Sequence, residues 1–180
     1  MMMKHRRCSA TFMIASAAWL AAPTFAQPAG ARCPLAAERF VVDKDIVRDK
    51  TTGLEWSRCN LPGTYAAETA GRRERCEGGS YVTDNRAEAL RAVPQITQAL
   101  GPGWRLPTVQ ELRAVLGGCS AEQVKESPFG LWQQPLAVWT SSQDAQSRPL
   151  QFAAGDPEPV IAAKQTGNAA LVIAVRSSRR

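Results

Sequence analysis

Histidine is almost missing from this chain. One of 180 residues is histidine, His5, and it sits near the start. Everything after it lacks the side chain that titrates near neutrality. That excludes Ser-His and Cys-His nucleophilic pairs, histidine-based acid–base catalysis and imidazole-ligated metals from the rest of the chain. Long apolar runs are scarce too. Phe12 to Ala22 is the most apolar stretch, and it is shorter than the roughly 20 residues of an ordinary membrane span. The five cysteines contain no C-x-x-C spacing, which argues against a zinc site or a thioredoxin-like redox pair. No internal repeat, collagen-like Gly-x-y run or EF-hand loop occurs.

The short apolar run acquires a meaning from its surroundings. Lys4, His5, Arg6 and Arg7 precede it, and Thr24-Phe25-Ala26 follows as a small-x-small cleavage site. Residues 1–26 therefore read as a secretory signal, with export to the periplasm or the medium. Cleavage leaves 154 residues, one ordinary domain. It also removes Lys4, Arg6 and Arg7, leaving 19 basic residues against 16 acidic ones, a net charge of +3. So modest a charge on an exported chain does not call for nucleic acid.

Four cysteines remain: Cys33, Cys59, Cys76 and Cys119. An even count in an exported chain predicts disulfides, with three connectivities open. Pairing Cys59 with Cys76 is favoured because they bracket a Gly-rich, charged loop with no core residues to hold it. Cys33 with Cys119 then ties the N-terminal arm to the end of a helix.

That helix is the best specified part of the sequence. Trp104-Arg105-Leu106 alternates as a half-buried strand does, and Pro107 ends the pairing. Thr108 stands three residues before Glu111, the spacing of a capping box. Leu112, Val115 and Leu116 share one face, and Gly117-Gly118 is expected to end the helix in the left-handed conformation. Buried scaffold is the expectation for this corner.

Trp104-Arg-Leu-Pro-Thr-Val-Gln-Glu-Leu112 resembles the "WRLPT..EL" signature of the Lcl C-terminal domain family. Asp49-Lys-Thr-Thr-Gly-Leu-Glu-Trp-Ser-Arg-Cys59 is similar to its "D..TGL.W..C" segment. Val138-Trp-Thr-Ser-Ser142 resembles its "YWSSS" strand. Leu150 to Gly155 and Ala174-Val-Arg176 resemble its closing strands. The resemblance spans residues 39–176 and implies an α+β, C-type-lectin-like fold: a small twisted, mostly antiparallel sheet, two helices and long disulfide-stapled loops. It also places Cys59 and Cys76-Glu-Gly78 on family positions. Trp56, Trp104 and Trp139 fall in family motifs and read as core. The resemblance implies binding to sulfated glycans such as glycosaminoglycans. The naming adhesin's collagen-like trimerisation run has no counterpart here. The lectin calcium triplets are absent as well. The cysteine pair of formylglycine-generating enzymes lies near the C-terminus, whereas Cys119 is the last cysteine here.

The remaining pattern supplies strands at Arg39–Val42, Ile46–Val47, Leu54–Trp56, Ala137–Ser142, Leu150–Ala153, Val160–Ala163 and Ala169–Arg176. Asp84 to Leu100 has helical spacing, capped by Thr83 or Asp84. Ala87, Leu90, Val93 or Pro94, Ile96 or Thr97, and Leu100 repeat at helical spacing, and Pro94 should kink or split the helix. Leu61–Ser80 reads as loop. Ser120–Pro135 reads as a second, with one helical turn at Ala121–Lys125. The organisation is signal 1–26, tether 27–38, domain 39–176 and basic tail 177–180.

Candidate sites are few. Asp43 with Asp45, Asp156 with Glu158 and Glu122 with Glu126 are carboxylate pairs that glycan hydrolysis or calcium could use, but each reads first as a solvated turn. Thr140-Ser141-Ser142 has no base to activate a hydroxyl. The sharpest positive feature is Arg72, Arg73 and Arg75, three guanidinia on the loop that Cys59–Cys76 would close. They suit sulfate or carboxylate. Trp132, on a long loop, could stack on a sugar. No cofactor and no metal is called for. The leading expectation is an exported, non-enzymatic binding module, an adhesin or envelope-associated protein that recognises a sulfated or acidic polysaccharide, with an envelope protein as another partner class. A glycan hydrolase and a purely structural envelope component are the alternatives.

Overall fold

The computed structural model describes residues 33–80, 82–129, 137–153, 160–161 and 169–178. The signal, residues 27–32 of the tether, Trp132, Asp156 and Glu158 lie outside the described residues, as do 162–168 and 179–180. The architecture is α+β with mainly antiparallel pairing. A 3-10 turn at Ala37–Arg39 leads into β1 (Phe40–Asp43), β2 (Ile46–Asp49) and β3 (Leu54–Ser57). Next come β4 (Pro62–Ala66), β5 (Arg75–Ser80) and β6 (Val82–Thr83), followed by α1 (Arg86–Leu100), α2 (Val109–Leu116) and α3 (Ala121–Lys125). The chain closes with β7 (Ala137–Gln143), β8 (Pro149–Ala153), β9 (Val160–Ile161), β10 (Ala170–Leu171) and β11 (Val175–Ser177).

Two sheets and a ribbon result. The first sheet runs β1-β2-β3-β11, the second β6-β10-β7-β8-β9, and β4 pairs with β5 alone. Within the second sheet β10 meets β7 in parallel, at Leu171 and Val138. One segment joins the two sheets. Residues 170 to 175 are completely buried, and their side chains alternate between two cores. Leu171, Ile173 and Val175 enter a core with Phe40, Trp56, Leu112 and Phe129. Ala170, Val172 and Ala174 enter another with Ala92, Ile96, Trp104 and Trp139. A period of two with apolar residues on both faces is what a strand buried on both sides requires. The strand expected at 169–176 is therefore two short ones, joined where the chain passes between sheets.

The hairpin turn between β2 and β3 forms as its residues demand. The Asp49 carboxylate accepts from the Thr51 amide at 2.9 Å and the Thr52 hydroxyl at 2.7 Å, and Gly53 takes φ of 67°. The same carboxylate accepts from Arg39 Nε at 2.8 Å. Burial pushes the Asp49 carboxyl up, but these donors outweigh it and hold it below the usual range.

Both favoured disulfides are present, Cys33–Cys119 and Cys59–Cys76. The capping box also forms. Thr108 Oγ1 accepts from the Glu111 amide at 3.1 Å, and the Glu111 carboxylate accepts from the Thr108 amide at 2.7 Å. Trp56, Trp104 and Trp139 are buried. The hydroxyls of Ser141 and Ser142 belong to the same corner. Ser141 donates to the Pro107 carbonyl, and Ser142 accepts from the Val109 amide at 3.0 Å.

Several expectations are corrected. Leu61–Ser80 is not all loop, because β4 and β5 form a hairpin within it. Trp104–Leu106 makes only a single bridge, Arg105 to Val175. The cap of α1 is Asn85, whose side chain accepts from the Ala87 amide at 2.9 Å; Thr83 instead belongs to β6. Pro94 lies inside one continuous helix. It is exposed, so water can reach the turn whose amide proton it lacks. The buried face of α1 is Ala89, Ala92 and Ile96: Ile96 lies in the expected repeat, whereas Leu90 from that repeat is 44% exposed. Only Gly118 at the end of α2 is left-handed, with φ of 75°. Gly117 is needed for another reason: a Cβ there would lie 2.4 Å from the Arg113 carbonyl oxygen. Beside the two long helices, the expected turn at Ala121–Lys125 forms as the short helix α3.

Candidate functional site

The arginine run lies on the β4–β5 ribbon. Thr69 and Arg72 exchange backbone hydrogen bonds of 3.0 and 2.9 Å around Gly71, which has φ of 83°. That closes the tip. β5 then returns along β4 with Ala66 opposite Arg75 and Tyr65 opposite Cys76. The base is stapled to the body by Cys59–Cys76.

The charges at and just before β5 take different partners. Glu74 and Cys76 turn toward the body. Glu74 accepts from Arg58 at 2.8 Å and from the Tyr65 hydroxyl at 3.2 Å. The Arg58 guanidinium lies 4.2 Å from the Tyr65 ring centroid and is itself buried. Arg72 and Arg73 are exposed, and among the described residues neither has an ion-pair partner. Arg75 is ion-paired with Glu77. Two open guanidinia and a third held by one exposed carboxylate therefore crown the hairpin. Trp132 lies outside the described residues and is not placed relative to them.

Two concavities lie elsewhere. An open one of about 510 Å³ is lined by Pro102, Gly103, Arg105, Arg176 and Ser177. Its guanidinia are already engaged. Arg105 donates twice to Glu111, at 2.9 and 2.6 Å. Arg176 donates to Glu55 at 2.8 Å and stacks 4.5 Å over the Trp104 ring. The other, about 40 Å³, lies between α1 and the chain around Cys59 and Leu61.

The buried carboxylates do not resemble a general acid. Burial pushes Glu55 up, but hydrogen bonds from Arg176 and Arg48 outweigh it and hold it ionised. Asp49 is likewise held low. A glycosidic acid needs the reverse, a carboxyl raised toward neutrality. Asp43 is exposed, and Asp45 accepts from the Tyr65 amide at 2.6 Å. Glu122 and Glu126 are both exposed on α3 and its end. Among the described residues no group of three or more His, Cys, Asp or Glu could hold a metal. No helix among them is long and apolar enough to cross a membrane.

Residues 45–176 match the model of the Lcl C-terminal domain. This chain belongs to that family. Its match begins at the turn before β2 and ends within β11, so it leaves out β1 but takes in the rest of both sheets, the ribbon and the Cys59–Cys76 disulfide. No curated protein and no solved structure matches the chain.

Neither the two partners of Glu74 nor the pairing of Arg75 was visible in the sequence. The Arg58–Glu74 contact joins positions 16 apart, and no local spacing signals it. The alternation Arg73-Glu74-Arg75 was the available clue, but only for a reader who already knew that the segment was extended.

Proposed function

We propose that this family member is an exported, non-enzymatic binding module that recognises an anionic glycan through Arg72, Arg73 and Arg75. On this reading residues 1–26 are a cleaved signal, 27–38 a tether, 39–176 the binding domain and 177–180 a basic tail. The protein then works in the periplasm or outside the cell, as an adhesin or an envelope-associated protein. Its fold is C-type-lectin-like, a reading supported by the antiparallel sheets, the helices and the two disulfides.

The observation that carries the proposal is the sorting of charges on the hairpin. Glu74, the one acid within the run, is turned onto Arg58, which leaves Arg72 and Arg73 unpaired at the tip. A guanidinium offers a planar fork that matches sulfate or carboxylate. The staple at Cys59–Cys76 lowers the ordering cost that a free loop would meet on binding. Trp132 is a further contact in this proposal, adding a stacking surface.

A glycan array probed with the oxidised mature domain, with turnover assayed on every hit, tests the reading. Retention on sulfated or uronic-acid glycans without cleavage is expected. Cleavage of a retained glycan would make the protein a hydrolase. An array without hits at low salt would favour a structural envelope component.

A further inference from the structure

We infer that the cavity between α1 and the β3–β4 connection receives an acetamido group, the N-acetyl substituent of an amino sugar. The inference rests on the glycan reading for the identity of the ligand, though not for the pocket itself. The cavity has a volume of about 40 Å³. One water needs about 10–15 Å³ on the same measure, so the space suits roughly three or four non-hydrogen atoms. A sugar ring cannot enter, but a substituent of that size can. An acetamido group has four such atoms.

The lining is graded. Cys59, Leu61 and Ile96 are buried and form an apolar floor. Gln95 and Ala99 are exposed on α1 and stand where the cavity meets solvent. Cys59, Leu61 and Ile96 offer a hydroxyl no strong partner, so a methyl group suits that floor better.

One wall carries a fixed acceptor. Asp45 lines the cavity, and its Oδ1 is anchored by the Tyr65 amide at 2.6 Å. Its Oδ2 has no hydrogen bond to a described residue. An acetamide offers an N–H to this carboxylate while its methyl occupies the floor. Apolar lining with one or two placed polar groups is the ordinary composition of a small-molecule pocket.

The position fits the arginine hairpin. Thr64 lines the cavity, and Thr69 lies five residues further along at the tip, beside Arg72. Five residues span at most about 16 Å. One oligosaccharide can therefore place an acetamido group in the cavity and its anionic groups on the guanidinia.

The experiment is an amide-shift titration of the isotopically labelled mature domain with N-acetylglucosamine, glucose and N-acetyl-lysine. The expected result is saturable shifts at Asp45, Gln95 and Ala99 with N-acetylglucosamine, and none with glucose at equal concentration. Shifts of equal size with glucose, or none with N-acetylglucosamine, would overturn the assignment. N-acetyl-lysine binding as tightly as the sugar would overturn the amino-sugar identity. Ala99→Leu fills the mouth with a good helix former and should abolish the shifts while the domain stays folded. Asp45→Asn keeps an oxygen for the Tyr65 amide but replaces the second acceptor by a donor, which should weaken binding about tenfold. Unchanged affinity in both variants would contradict the proposal. Substituting alanine for Arg72, Arg73 and Arg75 should leave the acetamide shifts intact, so failure of the pocket and failure of the arginine reading give different results.

Discussion

Glu74 accepts a hydrogen bond from the Arg58 guanidinium at 2.8 Å, across 16 residues of chain. The pair ties the arginine hairpin to the body beside the disulfide, one residue from Cys59 and two from Cys76. Arg58 is buried and Glu74 is partly exposed, so solvent weakens the attraction from one side. Glu74→Ala should cost about 1 kcal/mol and lower the melting temperature by about 3 °C. An unchanged melting temperature would mean that the hairpin is held by Cys59–Cys76 alone.

The capped corner should behave as scaffold. Thr108→Ala removes the acceptor for the Glu111 amide and should cost about 1 kcal/mol. Trp104→Ala should cost about 3–5 kcal/mol, because the ring is buried beneath Arg176. Thermal unfolding of both variants checks this. Loss of glycan binding by Trp104→Ala with no loss of stability would make the corner a site.

Acid should loosen the first sheet. Glu55 and Asp49 have folded pKa values below their ordinary 4.5 and 3.8, so the unfolded chain binds protons more readily. Their contribution is complete above the ordinary carboxylate range and is lost as the pH falls below it. Stability measured from pH 7 down to pH 2 should therefore decline mainly below about pH 4.5. Glu55→Gln should flatten the decline. A wild-type curve that is level across this range would contradict the ion-pair assignment.

The two disulfides should separate by role. Closing the 86-residue separation of Cys33–Cys119 contributes about 4.6 kcal/mol in the chain-entropy model, against about 3 for the separation of 17 between Cys59 and Cys76. Replacing the first pair by alanine should cost more stability. Replacing the second should cost more glycan affinity, because it frees the hairpin. Denaturant unfolding and heparin retention of both double variants check the two halves.

The sequence disclosed what is local. Thr108 and Glu111 are three residues apart, and their capping box needs only helix geometry. The turn at Asp49 to Gly53 is equally local, resting on hydrogen bonds two and three residues apart. The β4–β5 ribbon was hidden because Gly63, Gly78 and Gly79 weaken any strand pattern, and the charges between them read as solvated. On α1 the repeat includes the buried Ile96 but not Ala89 and Ala92, which carry little apolar signal beside Leu90, and Leu90 faces water. At the candidate site the three arginines were visible and their neighbours were not. Arg58 reaches Glu74 only through the fold.

Heparin-column retention is the most direct measurement of the arginine reading. Wild-type mature protein should bind at low salt and elute earlier as salt screens the contacts, with a Debye length of about 10 Å at 0.1 M. The triple substitution Arg72→Ala, Arg73→Ala, Arg75→Ala should elute at clearly lower salt. It should keep its fold, since Arg72 and Arg73 are exposed and have no ion-pair partner among the described residues. Co-elution of the two proteins would contradict a role for the hairpin, and failure of the wild type to bind at all would contradict an anionic ligand.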